Sequence, residues 1–441
     1  VSPEGADALL SSTSLVRFGP RGERFLAGVL REIEQLEMTP DATSSLYRAV
    51  LVPRFWRATL TRRSRAFNEK SIPDVFKAVL EEMGFADGTD FAIRLDGTYT
   101  PREYVVQYEE TDFAFLSRWM ERLGIYYFFE SIDDKDCLVI SDANSSHFEG
   151  NAGDLGSLSY NYHDHMEHAE GVHRWRRVNR LRPAKVHVRD YNWRSPKKPV
   201  VGNADVDPEH GFGLHAHYGD HIKDDAEGEK YATLRAELWK AGKEIYTGRT
   251  ALADLAPGTR FALTGAPVGE LDIEYLVTKV VHRPAPQSST STGGQYTNEI
   301  EAIPFATQYR PPRVTPWPRI DGVLPAKIDA EAISSAAPID NEGRYRVVVP
   351  FDLYGEYGGK ASRWVRKAEP YAGGTYGMHM TLHVGAEVLL AHVGGDPDRP
   401  IIVGSVPNPS MGTPLNDTNA TRSALRTRSG ILIDFEDDAK G

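Results

Sequence analysis

The sequence predicts a mainly β protein with α+β insertions. Short segments in which apolar and polar residues alternate recur along the 441 residues, and only three stretches have the apolar spacing of a helix. A compact segment made only of predicted strands follows a proline-rich boundary near residue 315. A chain of this length has room for two to four domains.

The first elements are strands. Alternating apolar residues predict strands at 16–18 and 25–29, which the Gly- and Pro-containing turn 19–22 joins, and another strand at 46–52. Helical spacing begins after the candidate N-cap Ser71 and ends at Gly84.

A second helix is predicted from Thr111 or Asp112 to Gly124, and a third from 227 to 240. Directly after the second helix, the apolar run 125–129 predicts a strand that pairs with 137–140. Further strands are predicted at 186–191, 259–263 and 275–281.

The strongest domain boundary lies at 309–318, which contains four prolines, and residues 287–295 are typical of an exposed loop. Beyond the boundary, four short strands with Gly and Pro turns predict a small barrel or sandwich. They are placed at 344–349, 364–368, 387–393 and 401–406.

The last segment has one apolar face. Ile431, Ile433 and Phe435 alternate with other residues just before the sequence stops at Gly441. No later strand of this sequence can cover that face, so we expect other chains to bury it.

Composition excludes several functions. The formal net charge of -11 disfavours binding to nucleic acid and to anionic membranes. The single cysteine, Cys137, cannot form an internal disulfide, and the default interpretation is a buried structural thiol. No apolar run is long enough to span a bilayer, and no signal peptide is visible. Because the sequence starts at Val1, we expect the natural N-terminus to be missing.

Several motifs carry a family resemblance. The runs are GAEVLL at 385–390, GGDPDRPIIVGSVPN at 394–408, YEETDFAFLSR at 108–118, GIYYFF at 124–129 and LRTRSG at 425–430. Together they resemble, in order and over nearly the whole chain, the VgrG spike family of type VI secretion systems.

The resemblance implies an architecture. It implies a phage-hub-like double β-barrel region, an OB-fold barrel and the start of a trimeric β-helix needle. The expected domains are a hub at 1–310, a proline-rich linker at 311–319, the OB-fold barrel at 320–410, and the neck with the first needle strand at 411–441.

The resemblance also implies a function. The chain is expected to be a structural protein, not an enzyme, with no cofactor. It would form a homotrimer that caps the Hcp tube, carries a PAAR tip and delivers effectors or their adaptors. It would assemble in the bacterial cytoplasm and then be secreted or injected. Ile431, Ile433 and Phe435 would pack the trimeric needle. The alternative is the baseplate hub of a phage or phage-like contractile particle.

A second alternative is a metal-dependent hydrolase. His163, His165 and His168 have a spacing at which imidazoles can share a zinc ion. The polar loop around them favours a solvated or interface segment, because short motifs often match by chance. A second group, at 210, 215, 217 and 221, leaves open a metal site or a pH switch, although incidental loop histidines are favoured.

One pair of carboxylates has the composition of a glycosidase site. Asp396 and Asp398 stand in the run GGDPDRP, which is typical of a turn in which Asp side chains cap backbone N–H groups. The sequence therefore favours a structural turn, and we assign no catalytic residue.

Overall fold

The computed structural model describes residues 9–10, 12–18, 24–38, 45–132, 135–145, 154–161, 171–283, 296–331 and 337–437. The chain divides into two compact units. The first contains residues 1–61, 72–100 and 111–316, and the second contains 62–71, 101–110 and 317–441. The described residues form mainly β-strands, as the sequence predicts.

Three α-helices are present in the described residues: α1 (Ile72–Glu82), α2 (Asp112–Leu123) and α3 (Asp225–Ala241). All three predicted helices are confirmed. Thr111 caps α2, since its hydroxyl accepts a hydrogen bond from the Ala114 N–H, and Gly124 ends it with a φ of 70°. Short 3-10 turns lie at Arg54–Thr59, Gly269–Leu271 and Val393–Gly395.

The first unit is built from four sheets. Their strands are β1 (Thr13–Phe18), β2 (Arg24–Met38), β3 (Ser45–Val52), β5 (Phe91–Arg94), β7 (Tyr126–Ile132), β8 (Lys135–Ser141), β9 (Asp154–Ser159), β10 (Val172–Asn179), β11 (Lys185–Asp190), β12 (Val200–Asp205), β13 (Leu214–Tyr218), β14 (Glu244–Thr250), β15 (Arg260–Thr264), β16 (Glu274–Arg283) and β17 (Thr297–Pro304).

These strands are ordered β1-β2-β3, β5-β8-β7, β12-β11-β13 and β10-β14-β17-β16-β15-β9. The six-stranded sheet surrounds an aromatic core in which Trp175, Tyr246, Phe261 and Tyr275 contact one another. The predicted pairing of the strand after α2 with 137–140 is confirmed by the register of Phe128 against Val139.

The second unit is built around a five-stranded sheet of order β19-β18-β23-β24-β20. The strands of this unit are β4 (Arg62–Lys70), β6 (Arg102–Thr111), β18 (Val323–Asp329), β19 (Arg346–Val348), β20 (Arg366–Lys367), β21 (Tyr371–Ala372), β22 (Gly377–Met378), β23 (Glu387–His392), β24 (Pro400–Ser405), β25 (Arg422–Arg426) and β26 (Leu432–Glu436). Strands β4 and β6 pair with each other, as do β21 with β22 and β25 with β26.

The strand pattern of the second unit departs from the sequence expectation at β18. No strand was predicted there, although β18 lies between β19 and β23 in the sheet. Pro325 disfavours an interior strand because it has no N–H to donate. It lies opposite Leu389 of β23 and beyond the end of the β18–β19 ladder, which begins only at Lys327, so β19 offers no backbone partner at this position.

Some sequence features fall outside the described residues, namely the turn 19–22, the loop 287–295 and the segment with His163, His165 and His168. In the part of the chain that is described, no helix is both long and apolar enough to cross a membrane.

Candidate assembly surfaces

The last two strands form an antiparallel hairpin. Ser423 lies opposite Phe435 and Leu425 lies opposite Ile433. The hairpin reverses at Gly430, whose φ of 96° is accessible mainly to glycine. The predicted final strand is therefore present, and β25 is its backbone partner.

The two faces of this hairpin differ in chemistry. Partners in an antiparallel pair point to the same side, so Ile433 and Phe435 share one face with Leu425 and Ser423. On the other face Arg422 pairs with Glu436 at 2.9 Å and with Asp434 at 3.4 Å. One face is thus mainly apolar, and the other, which we call the ionic face, carries these ion pairs together with Leu432.

The apolar face is uncovered. Ile431, Ile433 and Phe435 are 66%, 51% and 63% exposed. Burial of such a side chain stabilises by about 1.5–3 kcal/mol, and a lone two-stranded hairpin is marginal in water. The face on which the sequence analysis expects other chains to pack is therefore exposed in this structure.

The sheet that precedes the hairpin closes its own core. Its interior holds eleven mutually packed residues, each at most 8% exposed. They are Ala326, Ile328, Ala337, Tyr345, Val347, Val349, Val365, Leu382, Val388, Leu390 and Ile402. The hydroxyl of the buried Tyr345 accepts a hydrogen bond from the Leu382 N–H and lies 3.0 Å from His379 Nε2.

Strands β4 and β6 attach to this sheet although they come from early in the sequence. The Val106 N–H donates to the carboxylate of Asp398 at 2.7 Å, and Arg363 pairs with Glu103 at 3.2 Å. The Asn68 side chain donates to the Lys360 carbonyl at 2.8 Å. Asp398 is only 2% exposed, so its carboxylate serves as an internal acceptor.

Asp396 shapes the turn of the GGDPDRP run. Its carboxylate accepts from the Asp398 N–H at 3.1 Å and from the Trp317 indole N–H at 3.3 Å. Its carbonyl accepts from the Arg399 N–H at 2.9 Å. The hydrogen bonds favour the structural interpretation of the two carboxylates over a glycosidase pair.

In the second histidine group, the structure brings His215 and His217 together. His217 Nε2 lies 2.7 Å from His215 Nδ1 and 3.1 Å from an Arg235 nitrogen. Burial, together with the Arg235 charge, lowers the pKa of His217 to about 4. Burial acts to raise the pKa of Asp220, but Arg122, Arg235 and Arg313 outweigh it and hold that pKa below its ordinary value.

This pair is a poor metal site, because the His215 ring and the Arg235 guanidinium both lie within hydrogen-bond distance of His217 Nε2. Among the described residues, no group of three or more His, Cys, Asp or Glu side chains is arranged to hold a metal ion. His163, His165 and His168, the other metal candidates, lie outside those residues.

Cys137 is 1% exposed in strand β8. Burial, with the nearby Glu130 charge, raises the pKa of its thiol. A buried thiol of raised pKa is a weak nucleophile, which fits the structural interpretation.

Two protein-family profiles match the chain. The sequence profile of the phage tail baseplate hub (GPD) family matches residues 5–287. The profile of the type VI secretion system/phage-baseplate injector OB domain matches residues 335–406.

Curated relatives include the type VI secretion system spike protein VgrG1a of Pseudomonas aeruginosa, 30% identical over 92% of this chain and 63% of that protein. VgrG1b of the same species is 31% identical over 87% of this chain and 52% of that protein. The actin cross-linking toxin VgrG1 of Vibrio cholerae is 27% identical over 93% of this chain and 38% of that protein. The chain therefore spans about half to two thirds of the spike proteins it matches.

Solved structures share the fold. The Escherichia coli c3393 protein is described as a type VI secretion component with similarity to the T4 phage tail proteins gp27 and gp5. It matches with a TM-score of 0.67 at 24% identity, over 92% of this chain and 89% of that one. A Francisella PdpA–VgrG complex matches with a TM-score of 0.57 at 10% identity, over 94% of this chain and 64% of that one. The predicted hub-like and OB-fold architecture is confirmed.

Proposed function

Because the chain belongs to the phage tail baseplate hub family, we propose that it is the structural hub and spike of a type VI secretion system. The observation that carries this proposal is the uncovered apolar face of Ile431, Ile433 and Phe435 directly after a closed barrel. Three such faces can bury one another around a threefold axis, and an elongated trimeric needle starts from that packing.

The domain division proposed is a hub at 1–310, a linker at 311–319, an OB-fold barrel at 320–410 and a neck with the needle start at 411–441. The hub and barrel assignments are supported by the two family profiles at 5–287 and 335–406. Strands β4 and β6 add to the barrel from within the hub segment, so the two domains interleave in sequence.

The partners proposed are two further copies of the chain, the hexameric Hcp tube, a PAAR tip protein and effectors or their adaptors. The Francisella PdpA–VgrG complex, in which a protein of similar fold assembles with another protein, supports the proposal of such partners. We propose assembly in the bacterial cytoplasm followed by secretion or injection. The curated secretion spikes favour this function over the baseplate of a phage-like particle.

A non-enzymatic role is also part of the proposal. The buried carboxylate of Asp398 and the half-buried carboxylate of Asp396 accept structural hydrogen bonds, and Cys137 is buried. One relative is named as an actin cross-linking toxin, and this chain covers 38% of it. A toxin activity of a relative does not by itself assign chemistry to the shared part.

Complementation tests the function. In the source bacterium with its own gene deleted, the wild-type gene should restore release of the tube protein into the medium. A gene with Ile433→Asp and Phe435→Asp should not restore it, because three buried pairs of carboxylates would oppose needle packing. A matched gene with Asp434→Ala on the ionic face should work. Full release with the double variant would contradict the proposal.

A further inference from the structure

Among the described residues, the outer edge of β13 in the three-stranded sheet β12-β11-β13 has no partner strand, and we call it the open edge. The Gly213 carbonyl accepts from the Ala184 N–H at 3.0 Å, and the Gly219 N–H donates to the Arg189 carbonyl at 3.2 Å. Backbone groups alternate sides along a strand, so odd-numbered residues of β13 bond to β11. The backbone groups of Leu214, Ala216 and Tyr218 therefore point away from the sheet.

The opposite edge of this sheet, which is strand β12, is covered by side chains. On β12, the Val201 N–H donates to the Asp225 carboxylate at 3.3 Å, and the Asn203 N–H donates to the Glu229 carboxylate at 3.4 Å. Helix α3 thus caps one edge with its side chains. No described strand pairs with the outer side of β13.

The open edge is also apolar. Phe212, Leu214 and Tyr218 are 83%, 62% and 74% exposed. Proteins usually blunt exposed edge strands with charge, proline or a cover, because an open edge is a template for another strand. An edge that stays open and apolar beside a capped one is therefore suited to a strand from another chain.

The same unit contains a second incomplete element. In the described part of the chain, strand β1 pairs with β2 only as far as Val29, and from Glu32 to Met38 strand β2 pairs with β3 alone. We call residues 31–38 and 45–50 the arm. Leu36 and Leu46 on the arm are 48% and 58% exposed, and a two-stranded ribbon is marginal alone.

We propose that the arm of one copy adds to strand β13 of a neighbouring copy. Each copy offers one open edge and one arm, which are different surfaces. Contacts between different surfaces close into a ring when the rotation permits, so three copies would satisfy three edges and three arms. This inference rests on the proposed trimeric spike.

The charges fit the same pairing. Lys185 and Arg189 lie on β11 opposite Leu214 and Tyr218, and both are exposed. The arm carries three glutamates and two arginines, and its Glu34 is exposed. In the described residues Glu34 pairs with Arg48 at 3.5 Å and Lys185 pairs with Asp205 at 3.8 Å, and exposed ion pairs of this kind are weak.

Thiol cross-linking tests the pairing in the whole 441-residue chain. Ala49→Cys on the arm and Ala216→Cys on β13 replace exposed small residues, and the native Cys137 is buried. With a short bismaleimide, the double variant should give a covalent trimer on a denaturing gel, and each single variant should give monomer. The bismaleimide spans several ångströms, so the outcome does not depend on an assumed register.

The failures of the two proposals are distinguishable. A preparation that is trimeric by light scattering but does not cross-link overturns the arm contact and leaves the trimer intact. A monomeric preparation without cross-links overturns both. Cross-linking of a single variant would indicate contact between like surfaces and would also contradict the inference.

A backbone substitution gives a second test. In Ala216→Pro the ring removes an N–H that points to the open edge, and the ladder to β11 is retained. The concentration at which the trimer dissociates should rise about tenfold or more, the effect of losing an intermolecular hydrogen bond at each of three contacts. Ala216→Ser keeps the N–H and should leave that concentration unchanged. Equal dissociation of both variants would contradict the inference.

Discussion

The barrel sheet and the terminal hairpin of the second unit use the same strand chemistry and reach opposite results. In the barrel, Tyr345, Val388 and Ile402 are fully buried by other residues of the same chain. In the hairpin, Ile431, Ile433 and Phe435 alternate just as regularly and remain more than half exposed. Alternation defines a face, and the elements that pack against that face within the described residues decide whether it is buried or exposed.

The largest expected effect is in the barrel. Leu390→Ala removes a side chain that is 1% exposed, and truncation of a buried leucine costs about 2–5 kcal/mol. Hydrogen–deuterium exchange of peptides covering β23 and β24 should speed up accordingly. Leu432→Ala, on the exposed hairpin, should not alter exchange in those peptides. Equal effects of the two changes would break the contrast between core and interface.

The second-largest expected effect is a difference between the barrel and the terminal hairpin in how their stability responds to acid. Burial lowers the pKa of His392 in β23 to about 4, although Asp396 acts to raise it. The unfolded value is about 6.5, so between these values the unfolded state binds more protons and stability falls as pH falls. The barrel should lose roughly 2 kcal/mol between pH 6.5 and 4 from this residue.

The measurement is the exchange of barrel peptides as a function of pH, after correction for intrinsic rates. His392→Leu should flatten this part of the profile. The terminal hairpin contains no histidine and should not show the transition. An unchanged slope in the variant would mean that another group is responsible.

A smaller effect is expected where β6 attaches to the barrel. Asp398→Ala leaves the Val106 N–H without its buried acceptor, which costs about 1–3 kcal/mol. Asp398→Asn keeps a carbonyl oxygen and should cost less. Proteolysis between residues 62 and 110 and thermal unfolding would rank the three proteins, and an alanine variant as stable as wild type would remove this contact from the account.

The smallest effect concerns the ionic face of the hairpin. Arg422→Gln removes exposed ion pairs to Asp434 and Glu436, which are worth about 0–1 kcal/mol. The trimer should form nearly as well as wild type in sedimentation experiments. A loss of assembly comparable to that caused by Ile433→Asp would show that the ionic face, not the apolar one, lies in the interface.

The sequence predicted much of this fold because local signals were clear. Helix α2 begins at the side-chain cap Thr111 and ends at the left-handed glycine Gly124. Both signals can be recognised by residue type. Val186 and Val188 alternate in a strand that is fully buried on one face. The alternation of apolar and other residues was enough to identify the candidate face of Ile431, Ile433 and Phe435.

Long-range features could not be predicted in the same way. Strand β18 was missed because Pro325 disfavours an interior strand, and its tolerance depends on β19, which pairs with β18 only from Lys327 onward. The attachment of β4 and β6 to the barrel depends on Asp398 and Val106, which are 292 residues apart. Whether β13 has an open edge depends on which described strands pair with it, and no local sequence pattern predicts that pairing.

The central claim is that the apolar hairpin face is an interface between copies of the chain. The most direct test is to measure the solution mass of the 441-residue protein by light scattering. The double variant Ile433→Asp, Phe435→Asp is measured in the same way for comparison. The account predicts about 147 kDa for wild type, three times the 49.0 kDa chain, and about 49 kDa for the variant. The same mass for both proteins, whether monomer or trimer, would contradict it.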